Sequence, residues 1–246
     1  MHPTPGHHFT QTLGSTPFEM IWVEGGSFWM GADDGDEDAL NDEKPRHQVK
    51  VSDFWIGKYL VTQALWQEVM IDNLSDFPGP NRPVENVSWD DCEEFLKLIQ
   101  EITGLLYRLP TEAEWEYTAR GGNASEGYRY AGSDKLSEVG WFRDNSGSQT
   151  QPVGLKLPNE LGIYDLSGNV FEWCADGDGD SDYYQECKNV GLLTDPKGPS
   201  ESPYRMLRGG SWPYDARRCR VSFRDSFRPG SYNSHIGFRL ALPPVQ

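Results

Sequence analysis

The sequence predicts a mixed fold of short strands and a few helices, connected by long irregular loops. Nine tryptophans, 26 glycines and 17 prolines favour many turns over a helical bundle. With 246 residues and 37% hydrophobic content, the chain can bury a core as one large domain or two small ones. No apolar run approaches the roughly 18–20 residues of a membrane-spanning helix, so we expect no membrane insertion of this chain.

The first strands are expected after a short N-terminal tail. Residues 1–17 carry three histidines and are predicted as a disordered or tag-like tail. They lack the cationic start and apolar block of a secretory signal, which leaves the cellular location open. Residues 18–31 are typical of two strands joined as a hairpin at Gly25–Gly26. Residues 47–61 suggest a strand and its return, and the acidic residues 32–44 between them suggest a solvated loop.

Three helices follow. The first is expected over residues 62–71. Ser88, with an aspartate three residues on, predicts a helix N-terminus, and this second helix should end at Thr103 before a glycine. Thr111 and Glu114 form a capping box for the third, which explains that motif without any function. The second helix is expected to bury one apolar face: Phe95, Leu96, Leu98, Ile99 and Ile102.

Residues 121–158 are rich in Gly, Ser and Asn and are predicted as long irregular loop.

The next segment, NELGIYDLSGNVFEWCAD (159–176), brings oxygen ligands together around Gly168, where a tight turn can form. Calcium prefers carboxylates and backbone carbonyls in such a loop. A turn held by side-chain hydrogen bonds explains the same residues, so both interpretations stay open. The acidic run at 176–182 is treated as solvated.

Charge is divided unevenly along the chain. The net charge of −16 argues against nucleic acid as a partner, because phosphate binding needs clustered basic surface. Residues 205–246 carry eight arginines against Asp215 and Asp225, a balance of +6, which leaves −22 on residues 1–204. These arginines suit planar, stacked or bidentate contacts with a ligand. The alternative is that several are buried partners of acidic residues elsewhere in the chain.

Six motifs occur together in one order: FWMG (28–31), KPRHQVKVSDFWIGKYLVT (44–62), RLPTEAEWEYTARGG (108–122), LGIYDLSGNVFEWCAD (161–176), LRGGSW (207–212) and IGFRLAL (236–242). In this order they resemble the formylglycine-generating-enzyme (sulfatase-modifying factor) domain over residues 18–242. The resemblance implies a single α+β domain at 18–246, with a C-type-lectin-like fold and sparse regular structure. It also implies structural calcium held by Asp165, Gly168, Val170 and Glu172, the two middle residues through their carbonyls.

The catalytic chemistry of that family is not expected here. Its cysteine-oxidising members resemble one another in having two cysteines, five apart, just after GGS[WY], where paired thiolates suit Cu(I). This chain has Cys219 at the second position and Tyr214 at the first, so neither a catalytic residue nor copper is predicted. Iron is not expected either, because the branch of the family that uses it holds the metal with histidines, and only His47 and His235 lie outside the N-terminal tail. Cys219 is then expected to be a buried small residue. The alternative is a formylglycine-generating-like oxidoreductase, or another thiol-modifying enzyme, that uses Cys219.

The residue alphabet of the C-terminal segment is restricted. Residues 213–239 contain no Lys, Glu, Gln, Met or Trp, although these five types make up about a fifth of the chain. Codons that end in C, written NNC with N for any base, cannot encode those five types. Replacing the two adenines of the Asn codon AAC by any base gives this NNC set. In this respect the chain resembles the variable proteins of diversity-generating retroelements. Chance or a habit of the family is the alternative explanation.

The interpretation that follows is a non-catalytic, receptor- or adhesin-like protein that binds protein or glycan through residues 212–235. Stiff aromatics, adaptable Ser and Asn side chains and arginines are the composition of a paratope. A third hypothesis is an assembly module whose surface serves one fixed partner. The predicted ligand-binding residues are Trp212, Pro213, Tyr214, Asp215, Arg218, Phe223, Asp225, Ser226, Phe227, Arg228, Ser231, Tyr232, Asn233, Ser234 and His235.

Overall fold

The computed structural model describes residues 3–179, 182–199 and 201–244. In these ranges the chain forms eleven strands in three sheets and five α-helices. The strands are β1 (Phe9–Leu13), β2 (Thr16–Val23), β3 (Gly26–Met30), β4 (His47–Val51), β5 (Phe54–Gly57), β6 (Phe171–Gly177), β7 (Leu193–Thr194), β8 (Arg205–Arg208), β9 (Arg224–Phe227), β10 (Ile236–Gly237) and β11 (Ala241–Leu242). The helices are α1 (Gln63–Gln67), α2 (Trp89–Thr103), α3 (Glu112–Ala119), α4 (Leu136–Val139) and α5 (Tyr183–Val190). The predicted mixed fold with sparse regular structure is confirmed.

The first sheet has the order β1-β2-β5-β11 and begins inside the predicted tail. Residues 9–17 are therefore not disordered, which corrects that prediction. Phe9 packs edge-on against Trp55 with ring centroids 5.8 Å apart, and the Trp55 indole N–H donates to the His7 carbonyl at 2.8 Å. The strand was missed because its five residues, FTQTL, contain only two apolar side chains.

Two predicted strand pairings are wrong. β2 and β3 do not form a hairpin, because β2 pairs with β1 and β5 whereas β3 pairs with β4 in a separate sheet of order β3-β4-β7. The predicted return strand after β4 is β5, and it too lies in the other sheet. The chain changes sheet at Gly25, whose N–H donates to the Asp53 carboxylate at 2.7 Å. A side chain there would meet the Val51 carbonyl, because an added Cβ would lie 2.4 Å from it.

The capping signals located the longer helices correctly. Ser88 and Asp91 form the predicted capping box of α2, and Gly104 ends that helix in the left-handed conformation at φ 72°. The predicted buried face of α2 is only partly right. Phe95, Leu96 and Ile99 are core residues, but Ile102 is 56% exposed.

Helix α3 is unusual because all eight of its residues are buried, including Glu112, Glu114 and Glu116. It packs among β3, β4, β6 and β8, with Trp115 fully inside the core. A second core region lies along α2 and contains Trp66, which stacks on Phe95 at 5.2 Å between centroids. Among the described residues, none of the helices combines the length and the apolar character needed to cross a membrane.

The C-terminal segment runs through the remaining sheet, whose order is β10-β6-β8-β9. After β8 the chain leaves the sheet, forms a short 3-10 helix at Ala216–Cys219, and re-enters it as β9. A loop at 228–235 then leads to β10, which pairs in parallel with β6. We call residues 212–235 the insert. Both of its ends are therefore held by the same sheet.

Candidate ligand-binding surface

Four of the eight arginines at 205–246 are completely enclosed, so the alternative of buried acidic partners holds for half of them. Each of these four arginines is no more than 2% exposed. Each forms an ion pair with a buried glutamate that belongs to residues 1–204. Three of these pairs are bidentate, a geometry that adds both energy and directional specificity to an arginine–carboxylate pair. The buried ion pairs are Arg208–Glu116, Arg220–Glu43, Arg224–Glu112 and Arg239–Glu172.

Arg220 ties the insert to the acidic loop at 32–44. Its two terminal nitrogens donate to the two carboxylate oxygens of Glu43 at 2.6 and 2.7 Å, and one also donates to the Asp38 carbonyl at 3.0 Å. The Ser222 hydroxyl donates to the same glutamate at 2.8 Å. The prediction of a purely solvated loop is therefore wrong at its C-terminal end, where a 3-10 helix at Asn41–Glu43 carries a fully buried carboxylate.

Arg224 and Arg208 tie the insert and β8 to α3. Arg224 donates to both oxygens of Glu112 at 2.6 and 3.0 Å, and Arg208 donates to Glu116. Burial opposes ionisation of Glu112, but the two guanidinium groups outweigh it, so the pKa of Glu112 is lowered below its usual value. The charges on α3 thus hold the backbone of the insert from below.

Between these anchors lie the predicted ligand-binding side chains, and most of them reach the surface. Tyr232 is 66% exposed. The exposed group is Arg218, Arg228, Tyr232 and Asn233. The half-buried group is Trp212, Pro213, Tyr214, Asp215, Asp225, Ser226, Phe227, Ser231, Ser234 and His235. Buried anchoring residues and outward-facing residues are therefore mixed along the insert in an irregular order.

Phe223 is the exception and corrects the predicted set. It is 5% exposed and belongs to the core with Trp173 and Leu207. Its ring lies 6.2 Å from that of Phe171, and its carbonyl accepts from the buried Arg208. Its neighbours Ser222 and Arg224 are buried as well. Phe223 supports the surface from underneath.

An aromatic and cationic cluster lies above that floor. The rings of Tyr214 and His235 meet edge-on at 5.3 Å, and both pack against Phe171. The Arg218 guanidinium lies over the Tyr214 ring, 4.7 Å from its centroid. Burial lowers the pKa of His235 to about 4, so the imidazole is neutral at physiological pH. The exposed charge of the cluster is therefore that of Arg218.

A cleft of about 470 Å³ opens beside the cluster, between the insert and the acidic loop. Predicted residues that line it are Asp215, Arg218, Phe223, Asp225 and Ser226. It also contains Asp42 and Asp178, which sequence reasoning had assigned to solvated acidic runs. The Ser226 hydroxyl donates to Asp178 at 2.6 Å, and desolvation raises the pKa of Asp42. Their only signal in the sequence was the density of acidic residues, which does not distinguish a cleft wall from a solvated loop.

The loop at 228–235 is fixed through its backbone. The Pro229 carbonyl accepts from the Trp89 N–H at 2.9 Å, at the N-terminus of α2, and the Asn233 carbonyl accepts from Asn86 at 3.1 Å. The indole N–H of Trp212, the first residue of the insert, donates to the carbonyl of Ser234 near its end, at 3.0 Å. Because these contacts use main-chain groups of the loop, its side chains can differ without breaking them.

Cys219 has the properties of a structural residue, as predicted. Its side chain is fully buried, and its sulfur lies 3.9 Å from the Asp215 carbonyl. Burial raises the pKa of the thiol to about 12, which disfavours the thiolate needed for nucleophilic attack or metal binding. The half-buried Tyr214 occupies the position where the resemblance implied a second cysteine.

The four residues implied for calcium lie in the turn before β6 and at its start. Gly168 adopts φ 90°, and an added Cβ would lie 2.3 Å from the Trp141 carbonyl, so the tight turn requires glycine. Asp165 accepts from the Gly154 N–H through one oxygen at 2.8 Å, while its other oxygen is buried with no hydrogen-bond partner. Burial raises the pKa of Asp165 to about 6.

A buried carboxylate oxygen without a partner fits a cation, since such a group is costly to leave unsatisfied. Glu172 fits less simply, because both of its oxygens accept from Arg239, at 2.5 and 2.8 Å. A cation there would share Glu172 with that guanidinium and would draw further oxygens from the Gly168 and Val170 carbonyls. Over the described ranges, no cluster of three or more His, Cys, Asp or Glu side chains is arranged for a metal.

Comparison with known proteins adds four findings. A family model described as the sulfatase-modifying factor enzyme 1-like domain matches residues 7–243. The chaperone protein LppX of Paenibacillus barcinonensis is 32% identical over 93% of this chain and 91% of its own length. The formylglycine-generating enzyme of Streptomyces coelicolor is 40% identical over 68% of this chain, which spans only 55% of that enzyme. The solved structure of Treponema denticola variable protein 1 matches with a TM-score of 0.87 at 32% identity, covering 98% of this chain and all of that one.

Proposed function

Because the chain belongs to the family of sulfatase-modifying factor enzyme 1-like domains, we propose that it uses this fold, in its C-type-lectin-like form, for ligand binding without catalysis. The binding surface is the outward side of residues 212–235, and the ligand is a protein or a glycan. The acidic net charge of −16 disfavours nucleic acid as the partner.

One observation carries the proposal. The insert divides into residues that hold the fold and residues that face solvent. Arg220 and Arg224 are buried against Glu43 and Glu112. Arg218, two positions before Arg220, and Arg228, four positions after Arg224, are exposed. Such a surface is rigid before its ligand arrives, so binding loses little conformational entropy.

Diversification by a retroelement is the finer part of the proposal. Its support is the restricted alphabet of residues 213–239 together with the similarity to a protein called variable protein 1. The encoding DNA provides the check. We expect a nearby reverse-transcriptase gene and a near-copy of this segment that differs only at adenines. Without them, the surface would be assigned to one fixed partner.

Removing the four exposed side chains should weaken binding and leave stability intact. We expect the variant Arg218→Ser, Arg228→Ser, Tyr232→Ser, Asn233→Ser to lose at least about tenfold in affinity, since exposed aromatics and arginines dominate interfaces of this kind. Its melting temperature should stay within about 3 °C of the parent, because surface substitutions cost little. The measurement is binding to an array of purified extracellular proteins and glycans, followed by calorimetric melting.

A matched control keeps that test specific. Serine at two exposed leucines outside the insert, Leu155 and Leu157, should leave the array signals unchanged. Array binding that survives the fourfold substitution would refute the proposed surface. Loss of the cooperative melting transition in the fourfold variant would show that the exposed residues support the fold.

The alternative function is thiol or cysteine oxidation by Cys219, and the enzyme name of the Streptomyces relative is what favours it. The buried, neutral thiol and the tyrosine at position 214 disfavour it. Stoichiometric Cu(I) binding that disappears in Cys219→Ser, with oxygen uptake on a cysteine peptide, would establish the enzyme and overturn our proposal.

We also propose that calcium stabilises the turn beneath the insert through Asp165, Gly168, Val170 and Glu172. The support is the partnerless buried oxygen of Asp165. Calcium at about 100 times its Kd should add roughly 2.7 kcal/mol to the free energy of unfolding. Asp165→Asn should abolish most of that increase, whereas magnesium should not reproduce it. Equal unfolding curves with calcium and with EDTA would contradict the proposal.

A further inference from the structure

A second candidate interaction surface lies outside the insert, in a groove between the end of α1 and one side of α2. Its volume is about 530 Å³. Ile71 and Leu74, in the loop that follows α1, are 96% and 74% exposed, although both are large apolar residues. Leu98 of α2 lines the groove opposite them and is only half-buried.

The apolar surface continues along α2. Ile102 follows Leu98 by four residues, so the two lie on the same face of the helix. Ile102 is 56% exposed, which is why its prediction as a core residue failed. Exposed apolar residues that share one continuous surface, unlike scattered ones, are typical of an interaction site.

The charges that line the groove are all negative. They belong to Asp72, Asp91 and Glu94. A second copy of this chain is a poor occupant, because a symmetric contact would bring these carboxylates close to their own copies. The net charge of −16 adds to that repulsion. A partner with the opposite charge gains from the same field.

We infer that this groove binds a basic amphipathic segment of a partner protein, with apolar side chains packed against Ile71, Leu74 and Leu98 and with Lys or Arg beside the acidic residues of the groove. In this binding mode, an amphipathic helix packs its apolar face into an apolar groove. All groove residues precede the insert, so the partner stays the same when the insert changes. The groove nevertheless adjoins the insert, since Asn86 in its wall bonds to the Asn233 carbonyl.

The test uses a labelled 18-residue helical peptide of Leu and Lys, with leucines at positions i, i+3, i+4 and i+7, and fluorescence anisotropy with the full chain. We expect binding that weakens between 0.05 and 0.5 M salt. The variant Ile71→Ser, Leu74→Ser should bind at least about tenfold more weakly, because two apolar side chains leave the contact. A Leu and Glu peptide of the same pattern should not bind.

The control variant Leu155→Ser, Leu157→Ser also removes two exposed apolar side chains and should bind like the parent. Equal loss in both variants, binding of the acidic peptide, or no binding of the basic one would overturn the inference. A concentration-dependent dimer that Ile71→Ser, Leu74→Ser abolishes would assign the groove to a second copy instead. Tyr232→Ser, Asn233→Ser should leave peptide binding unchanged, so failure here is separable from failure of the insert as a binding surface.

Discussion

Replacing Arg220 with methionine is expected to lower the free energy of unfolding by about 3–5 kcal/mol, because it leaves a buried carboxylate without its cation. Glu43 is fully buried and would keep only the Ser222 hydroxyl and the Leu40 N–H as donors. Methionine retains much of the arginine stem, so the loss reports the uncompensated charge and not a cavity. Urea unfolding, followed by tryptophan fluorescence, measures it.

Arg218 provides the matched control, two residues earlier in the same insert. Its guanidinium is exposed and lies 3.6 Å from Asp225. Arg218→Met should change stability by less than about 1 kcal/mol, the range of exposed ion pairs. Equal losses at the two positions would mean that the division of the insert into anchors and free residues is wrong. The double variant Glu43→Leu, Arg220→Met should recover most of the loss, since it removes both charges together.

The fold could be predicted where it depends on local signals. The capping boxes at Ser88 and Thr111 act within four residues, and both were located correctly. The family was predictable from six short motifs in one order, and it is confirmed by the family model that matches residues 7–243. Strand partners depend on contacts between distant residues, which explains why β2 and β4 were assigned the wrong neighbours.

The roles of individual arginines could not be read from the sequence. Arg218 and Arg220 have the same composition around them, yet one is exposed and the other is enclosed. The missing information is the location of the partner glutamates, which lie 67 to 177 residues away in the chain. One signal was available in α3. Glu112 and Glu116 lie four residues apart on a helix that also carries a buried tryptophan, a spacing that places two charges on one face.

Phe223→Ala is expected to cost about 3–5 kcal/mol, the range for removal of a buried phenylalanine. Its ring is 5% exposed and fills the space between Phe171 and the core beneath the insert. For a chain of this size, a loss of that magnitude lowers the melting temperature by roughly 10 °C. Differential scanning calorimetry provides the measurement, and a shift below about 2 °C would place Phe223 among the free residues.

Tyr232→Ala is the comparison, since this tyrosine is the most exposed aromatic of the insert. It should leave the melting temperature within about 2 °C of the parent. The two melting temperatures together show which positions of the insert tolerate substitution without loss of stability. If diversification operates here, selected variants should change residue 232 freely but keep a large apolar residue at 223. A polar side chain at that position would have to be buried without a partner, which lowers the stability of the fold.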